Sequence, residues 1–364
     1  MRAPERFCSG GILMRKPRLK APPEQPFGFY HCYSRVVNRA FVLLDPERDK
    51  FVELMRRYEA FCGVHIQTYS IMSNHFHILL QVPARPQIPL SDEELLERCA
   101  LLYGARELKK IRRQLTLRKD RVKDWNQFRE KYLCRMWDVS QFMKSLKQTF
   151  TQWFNNSRPK GRKGTLWEER YGSVLVEGTA EALATMAAYI DLNPVRAGMV
   201  DDPKDYRWCG YGAAAAGDER AKAGLDRLSP PGTNASMNWY RMLLFAEGMQ
   251  EGLSTPETPI RRGLSPEQAR QVWAEGGEIG LFDALRCRVR YFAKGAVLGS
   301  REFANHIFAQ NRSHFGSRRR DGAMPLEGID TSDVGGLFSL RKLRSRGLGS
   351  GHQDGGRAIG KRDP

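Results

Sequence analysis

Apolar and polar positions alternate with a period of two from His75 to Val82, where Phe76, Ile78, Leu80 and Val82 interleave with His75, His77, Leu79 and Gln81, the pattern of a half-buried strand. Phe27 to Val37 is rich in aromatic and β-branched residues and reads as the first strand. Val64 to Met72 reads as a second, and Ser73-Asn74 as a tight turn that brings the His75 strand back antiparallel to it. Two stretches carry helical spacing instead: Arg48 to Cys62, through Phe51, Leu54, Met55, Tyr58 and Phe61, and Met136 to Phe154, through Trp137, Phe142, Met143, Leu146, Phe150 and Phe154. Ser173 to Val176 reads as a fourth strand. Thr179 is then a good N-cap for a helix that buries Leu183, Met186, Ala187 and Ile190 until Pro194 interferes. The order β-α-β-β-α-β plus one helix predicts an α+β fold, the ferredoxin-like split β-α-β arrangement, with an antiparallel sheet and helices on one face.

Around this unit the patterning weakens. Residues 1–26 have no period of either kind and read as a mobile basic arm. From Pro83 to about Trp125 a Pro-rich start, then Leu-Leu pairs and a basic run from Arg106 to Lys123, look like an insertion that follows the His75 strand directly and emerges near one edge of its sheet. After Tyr211, residues 212–237 read as a linker, and residues 238–316 as a helical region suited to nucleic acid. That region includes a helix starting at Ser265-Pro-Glu-Gln and two more, Leu281 to Leu298 and Ser300 to Asn311, joined at Gly299. Residues 317–364 read as a disordered tail.

Charge narrows the partner. The 364 residues hold 59 Lys plus Arg against 41 Asp plus Glu, a net charge of +18, which points to an anionic polymer, nucleic acid first. No stretch approaches the ~20 apolar residues of a membrane span, so no membrane partner is expected. Seven scattered cysteines without a C-x-x-C pair argue against a disulfide framework or zinc ribbon and for a reducing compartment. With no apolar core of signal-peptide length near the N-terminus, the expected location is cytoplasmic.

On the His75 strand the two histidines lie side by side on one face, roughly 7 Å apart, a spacing from which two imidazoles can converge on one metal ion. Two unconnected strand histidines remain the plainer alternative while no partner is identified. Further on, Tyr189 and Asn193 are four apart on the helix that starts at Thr179, on a face that borders the apolar stripe without belonging to it. The stretches Met72-Ser-Asn-His-Phe-His-Ile-Leu-Leu80, Gly164-Thr-Leu-Trp-Glu-Glu-Arg-Tyr-Gly172, Tyr189-Ile-Asp-Leu-Asn-Pro-Val-Arg-Ala-Gly-Met-Val200 and Asp205-Tyr-Arg-Trp-Cys-Gly-Tyr211 follow in this order. Together they resemble the single-tyrosine HUH transposases, most closely their REP-associated branch, over about Phe27 to Tyr211.

The resemblance implies that His75 and His77 bind a divalent metal, Mg or Mn, that Tyr189 is the nucleophile, and that Asn193 completes the metal site. It implies cleavage and rejoining of single-stranded or hairpin DNA through a 5′-phosphotyrosine, by a monomer or homodimer. Imidazole and amide oxygen together suit such an ion. Candidate DNA contacts are Lys109, Lys110, Arg112 and Arg113 in the basic run, and Arg162, Lys163 and Arg170 in the glycine-containing loop before the fourth strand. The alternatives are a catalytically silent, structure-specific nucleic-acid-binding regulator that keeps fold and charge, and a metal hydrolase in which activated water leaves Tyr189 idle.

Overall fold

The computed structural model describes residues 18–159, 161–228, 240–241, 244, 279–280, 285 and 291–341. Four strands, β1 (Phe27–Arg35), β2 (His65–Ile71), β3 (His75–Pro83) and β4 (Gly172–Val176), stand in the order β2-β3-β1-β4, and every neighbouring pair is antiparallel. With α1 (Asp45–Cys62) between β1 and β2, and α5 (Val139–Asn156) between β3 and β4, this is the ferredoxin-like order that the sequence predicts.

The core face is aromatic. Phe76 of β3 meets Phe51 of α1 with ring centroids 4.7 Å apart, and Phe51 meets Phe150 of α5 at 5.0 Å. Trp167, in the loop before β4, closes the cluster 5.2 Å from Phe76. All four rings are buried, each worth roughly 1.5–3 kcal/mol relative to exposure. The helix ends follow from local chemistry. Asp138 caps α5 by accepting the Gln141 N–H at 2.9 Å, and Gly63, at φ 64°, ends α1 in the left-handed conformation that favours glycine.

Helices do not stay on one face. Helix α6 (Ala180–Asp191), capped as expected by Thr179 through the Ala182 N–H, lies on the opposite face, where Tyr189 meets His77. The four-strand pattern set only the α1–α5 side; the chain after β4 supplies the second cover. This is why α6 is buried from Ala182 to Asp191 rather than along one stripe. Its last carboxylate, Asp191, is fully buried and accepts from Thr68 Oγ1 of β2, the Tyr211 N–H and the Tyr240 hydroxyl, while burial pushes its pKa up to about 6.

Several segments differ from the sequence expectation. Residues 18–26 are tied down rather than mobile: Lys20 pairs with Asp138 at 2.6 Å and Arg18 lies 3.7 Å from the Tyr171 ring centroid. The insertion runs past residue 125 as three helices, α2 (Asp92–Ala100), α3 (Ala105–Arg118) and α4 (Val122–Leu133). It leaves β3 at Pro83, about 20 Å of strand from His77, and Arg98 of α2 docks on the α1 end through the Phe61 carbonyl. The insertion, expected near one edge of the sheet, thus begins at the end of β3, whereas the two histidines sit at its start.

Residues 212–228, expected as linker, belong to α8 (Gly210–Ala215) and α9 (Glu219–Asp226), which pack along β2 after the short α7 (Asn193–Arg196). Within 281–298, Val297–Leu298 is a strand, parallel to β4 at the sheet edge, and Tyr291–Lys294 a short helix. Helix Arg301–Gln310 matches expectation, with Ser300 as its cap. The tail is structured as far as residue 341, with short strands Met324–Pro325, Ile329–Asp330 and Phe338–Ser339. The helix expected at Ser265 and the rest of the tail lie outside the described residues.

Gly224 of α9 approaches β2 so closely that an added Cβ would stand 2.6 Å from the carbonyl oxygens of Ile66 and Gln67. Gly224→Ala is expected to lower stability by about 1–3 kcal/mol in urea denaturation. A midpoint unchanged from wild type would show that α9 does not dock on β2.

Candidate functional site

His77 and Tyr189 meet edge to face, with ring centroids 6.1 Å apart, and His75 and His77 lie at 5.2 Å. The strand register sets this up, because β1 and β3 each send alternate residues to this face and Tyr33 of β1 stands directly opposite His77. The structure thus brings together His75, His77 and Tyr189. Asn193 follows one turn later at the start of α7, beyond a break in the helix at Leu192. The expectation that Tyr189 and Asn193 merely border the core fails. They are 5% and 8% exposed; Tyr189 is covered by Phe292, whose ring centroid lies 4.8 Å from its own, and by Arg196, 4.2 Å from that centroid.

Sequence reasoning missed His31. It lies on the His77 face of β1, fully buried, with Nδ1 2.7 Å from the Phe292 carbonyl oxygen and Nε2 2.7 Å from His77 Nδ1. The available signal was the period-two pattern of the first strand, which puts His31 on one face with Tyr33; ferredoxin-like strand order then sets that strand beside the histidine strand. Arg35, directly across from His75, was missed as well.

Burial keeps the imidazoles of His31 and His77 neutral. Burial pushes His31 down to about 4, aided by the charge of Arg196, against the hydrogen bond to Phe292. Burial also holds His77 well below the usual histidine range, reinforced by His31, His75, Arg196 and Arg35. Neutral imidazole is the form that binds metal, and two guanidinium groups beside it favour an anion such as phosphate.

The donor set fits a divalent ion of the Mg or Mn kind. Asn74 Nδ2 donates to the Arg39 carbonyl at 2.9 Å, so Asn74 Oδ1 faces His75 Nδ1 at 2.6 Å and must accept from it. The His75 lone pair therefore sits on Nε2. One end of the buried Asn193 amide, Nδ2, has no hydrogen-bond partner. Buried polar groups are rarely left so, and turning the amide over would offer its oxygen to a cation at that position. Among the described residues no three His, Cys, Asp or Glu gather into a metal-binding group.

The candidate DNA contacts lie elsewhere. Lys109, Lys110, Arg112 and Arg113 are exposed on α3, with Lys110 paired to Glu107 at 3.1 Å. Arg162 is committed to its own loop through Asn155 Oδ1 at 2.9 Å and the Thr165 carbonyl at 2.8 Å, while Lys163 and Arg170 are exposed.

Fold and site together define a ferredoxin-like α+β domain with a histidine pair and a tyrosine on one face of its sheet. Residues 132–193 match the family model of IS200-like transposases, a span that runs from the end of α4 through Tyr189 to Asn193. Among solved structures, a REP-associated tyrosine transposase bound to a REP hairpin is 14% identical, over 56% of this chain and 84% of that one, with a TM-score of 0.35. No curated protein matches the chain. Among the described residues no helix is long and apolar enough to cross a membrane.

The unfolded chain protonates its histidines near pH 6.5, whereas folded His31 resists until about 4. Between these values the unfolded state binds more protons, so the stability that neutral His31 contributes is present above about 6.5 and lost as the pH falls towards 4. Metal-free protein is expected to lose up to about 3 kcal/mol from this source over that range. His31→Phe should flatten the dependence in urea titrations at stepped pH. A variant as acid-sensitive as wild type would place the loss in other groups.

Proposed function

We propose that the protein is a DNA transposase that cleaves and rejoins single-stranded or hairpin DNA through a covalent phosphotyrosine. The observation that carries this reading is the placing of Tyr189 against His77, beside His75, on one face of the sheet, within a chain whose 132–193 span matches IS200-like transposases.

His75 and His77, with Asn193, would hold a divalent ion, which supplies Lewis-acid polarisation of the scissile phosphate. Tyr189 attacks phosphorus through its hydroxyl oxygen. The new bond joins that oxygen to the 5′-phosphate, the bond to the 3′-oxygen breaks, and the leaving 3′-oxygen gains the proton that the phenol loses to solvent. A phenol of pKa near 10 is a better leaving group than a sugar alcohol, so another 3′-hydroxyl can reverse the step and rejoin the strand without ATP. Arg196 and Arg35, whose charges act on His77, would balance phosphate charge. Such a DNA enzyme would work in the cytoplasm.

Burial of Tyr189 beneath Phe292 favours a second reading, a structure-specific DNA binder without chemistry. Incubation with 5′- and 3′-labelled hairpin DNA and Mn²⁺, followed by a denaturing gel, separates the two. An adduct that survives denaturation is expected from wild type and is absent from Tyr189→Phe. His75→Ala and His77→Ala should cut adduct formation at least about 100-fold while leaving most DNA affinity. Adduct at normal yield from Tyr189→Phe removes the nucleophile assignment, and no adduct from wild type leaves the binder.

Basic residues of α3, with Lys163 and Arg170, are proposed to grip the phosphates of a hairpin stem. Six to eight base pairs span roughly 20–27 Å, enough to join the histidine end of β3 to its Pro83 end, where the helical insertion begins. Each phosphate contact adds about 0.9 to the slope of log affinity against log salt on duplex. Changing Lys109, Lys110, Arg112 and Arg113 to Gln should therefore flatten that slope by up to about 3–4, with strand cleavage by the bound complex retained. An unchanged slope would mark α3 as a solvated face that serves solubility.

A further inference from the structure

We infer that His31 is a positioning residue that fixes the tautomer of His77, holding the proton on Nδ1 so that the lone pair on Nε2 is presented to a divalent cation; this rests on the metal reading given above. The inference comes from the direction of two hydrogen bonds. A carbonyl oxygen can only accept, so at the 2.7 Å contact with Phe292 the proton must sit on His31 Nδ1. In a neutral ring that leaves His31 Nε2 as an acceptor. The donor across the next 2.7 Å contact must then be His77 Nδ1–H, and the remaining lone pair of His77 lies on Nε2. The opposite polarity would set a ring lone pair against the Phe292 carbonyl oxygen at the same distance, which is repulsive in a site where His31 is fully buried.

Two further features agree. Both ring nitrogens of His31 are occupied, so His31 cannot itself be a ligand despite lying 5.0 Å, centroid to centroid, from His77. His75 is oriented in the same sense by Asn74, whose amide is anchored on the Arg39 carbonyl. Each histidine therefore has a partner that accepts from its Nδ1–H, drawn from a different element: the turn before β3 for His75 and the middle of β1 for His77. Orienting partners of this kind typically change metal affinity 10- to 100-fold when removed.

The test uses full-length protein. In metal-free wild type labelled with ¹³C,¹⁵N-histidine, the ring shifts of His77, assigned with His77→Gln, should report the Nδ1–H tautomer. Mn²⁺ binding without DNA, followed by electron paramagnetic resonance, should weaken about 10- to 100-fold in His31→Phe, which keeps a ring but offers no acceptor. It should recover towards wild type in His31→Gln, whose amide can accept from His77 and donate to Phe292. An Nε2–H tautomer in wild type, or Mn²⁺ affinity in a folded His31→Phe equal to wild type, overturns the role of His31 and leaves the metal site standing. Should His31→Phe not fold, the wild-type tautomer and His31→Gln decide. Wild type that binds no Mn²⁺ at all removes the metal reading, and the role of His31 with it.

Discussion

The register of β3 between its two neighbours is the constraint on which the rest depends. Side chains alternate with a period of two, so a slip of one residue would turn Phe76 out of the aromatic cluster and drive His77 into it. Pairing on both edges, Tyr33 opposite His77 on one side and Ser70 opposite His77 on the other, fixes that choice. Burial of Phe76 against Phe51 and Trp167 stabilises the register, and the opposite face inherits its geometry. The histidine pair is thus held by packing forces that act on the other side of the sheet.

That opposite face is the unusual one, since a single layer of helices would leave it wet. Here α6 and Phe292 of the short helix Tyr291–Lys294 cover it, and His31 and His77 become buried together, with His75 half-buried beside them. Their burial costs little only because the polar atoms are matched: His31 between His77 and a carbonyl, His75 on Asn74. A low-dielectric pocket with Arg196 and Arg35 nearby strengthens every interaction with a phosphate that enters it. The same cover shields Tyr189, so the dryness that would favour the proposed chemistry also limits access to it.

Legibility in the sequence followed the range of the forces involved. The four strands, α1, α5 and α6 carry their own periodicity and were readable, as was the cap at Thr179. Segments whose packing depends on smallness rather than hydrophobicity were not: Gly224 and the alanines of α8 and α9 look like linker residues until β2 is set against them. Val297–Leu298 is too short for any period. For the site, the histidine pair stood out because its two members are two residues apart. His31 did not, since its partners, His77 and Phe292, are 46 and 261 positions away. The burial of Tyr189 was hidden for the same reason.

Net charge and site occupy different parts of the molecule, and this division has a physical basis. Charges on exposed α3 are screened beyond roughly 8–10 Å at physiological salt, so they cannot set the reactivity of a histidine some 20 Å or more of strand away. What they can do is raise the local concentration of a polyanion and fix where its backbone lies. On the proposed reading, selection of a DNA element by shape would fall to the spread basic surface, and selection of one phosphodiester to the few buried groups on the β1–β3 face, whose fields are unscreened but short in reach. On that reading a substrate must be long enough to reach α3 while presenting a single strand at the face where Tyr189 meets His77, which a paired stem flanked by a single strand would do and a continuous duplex would not.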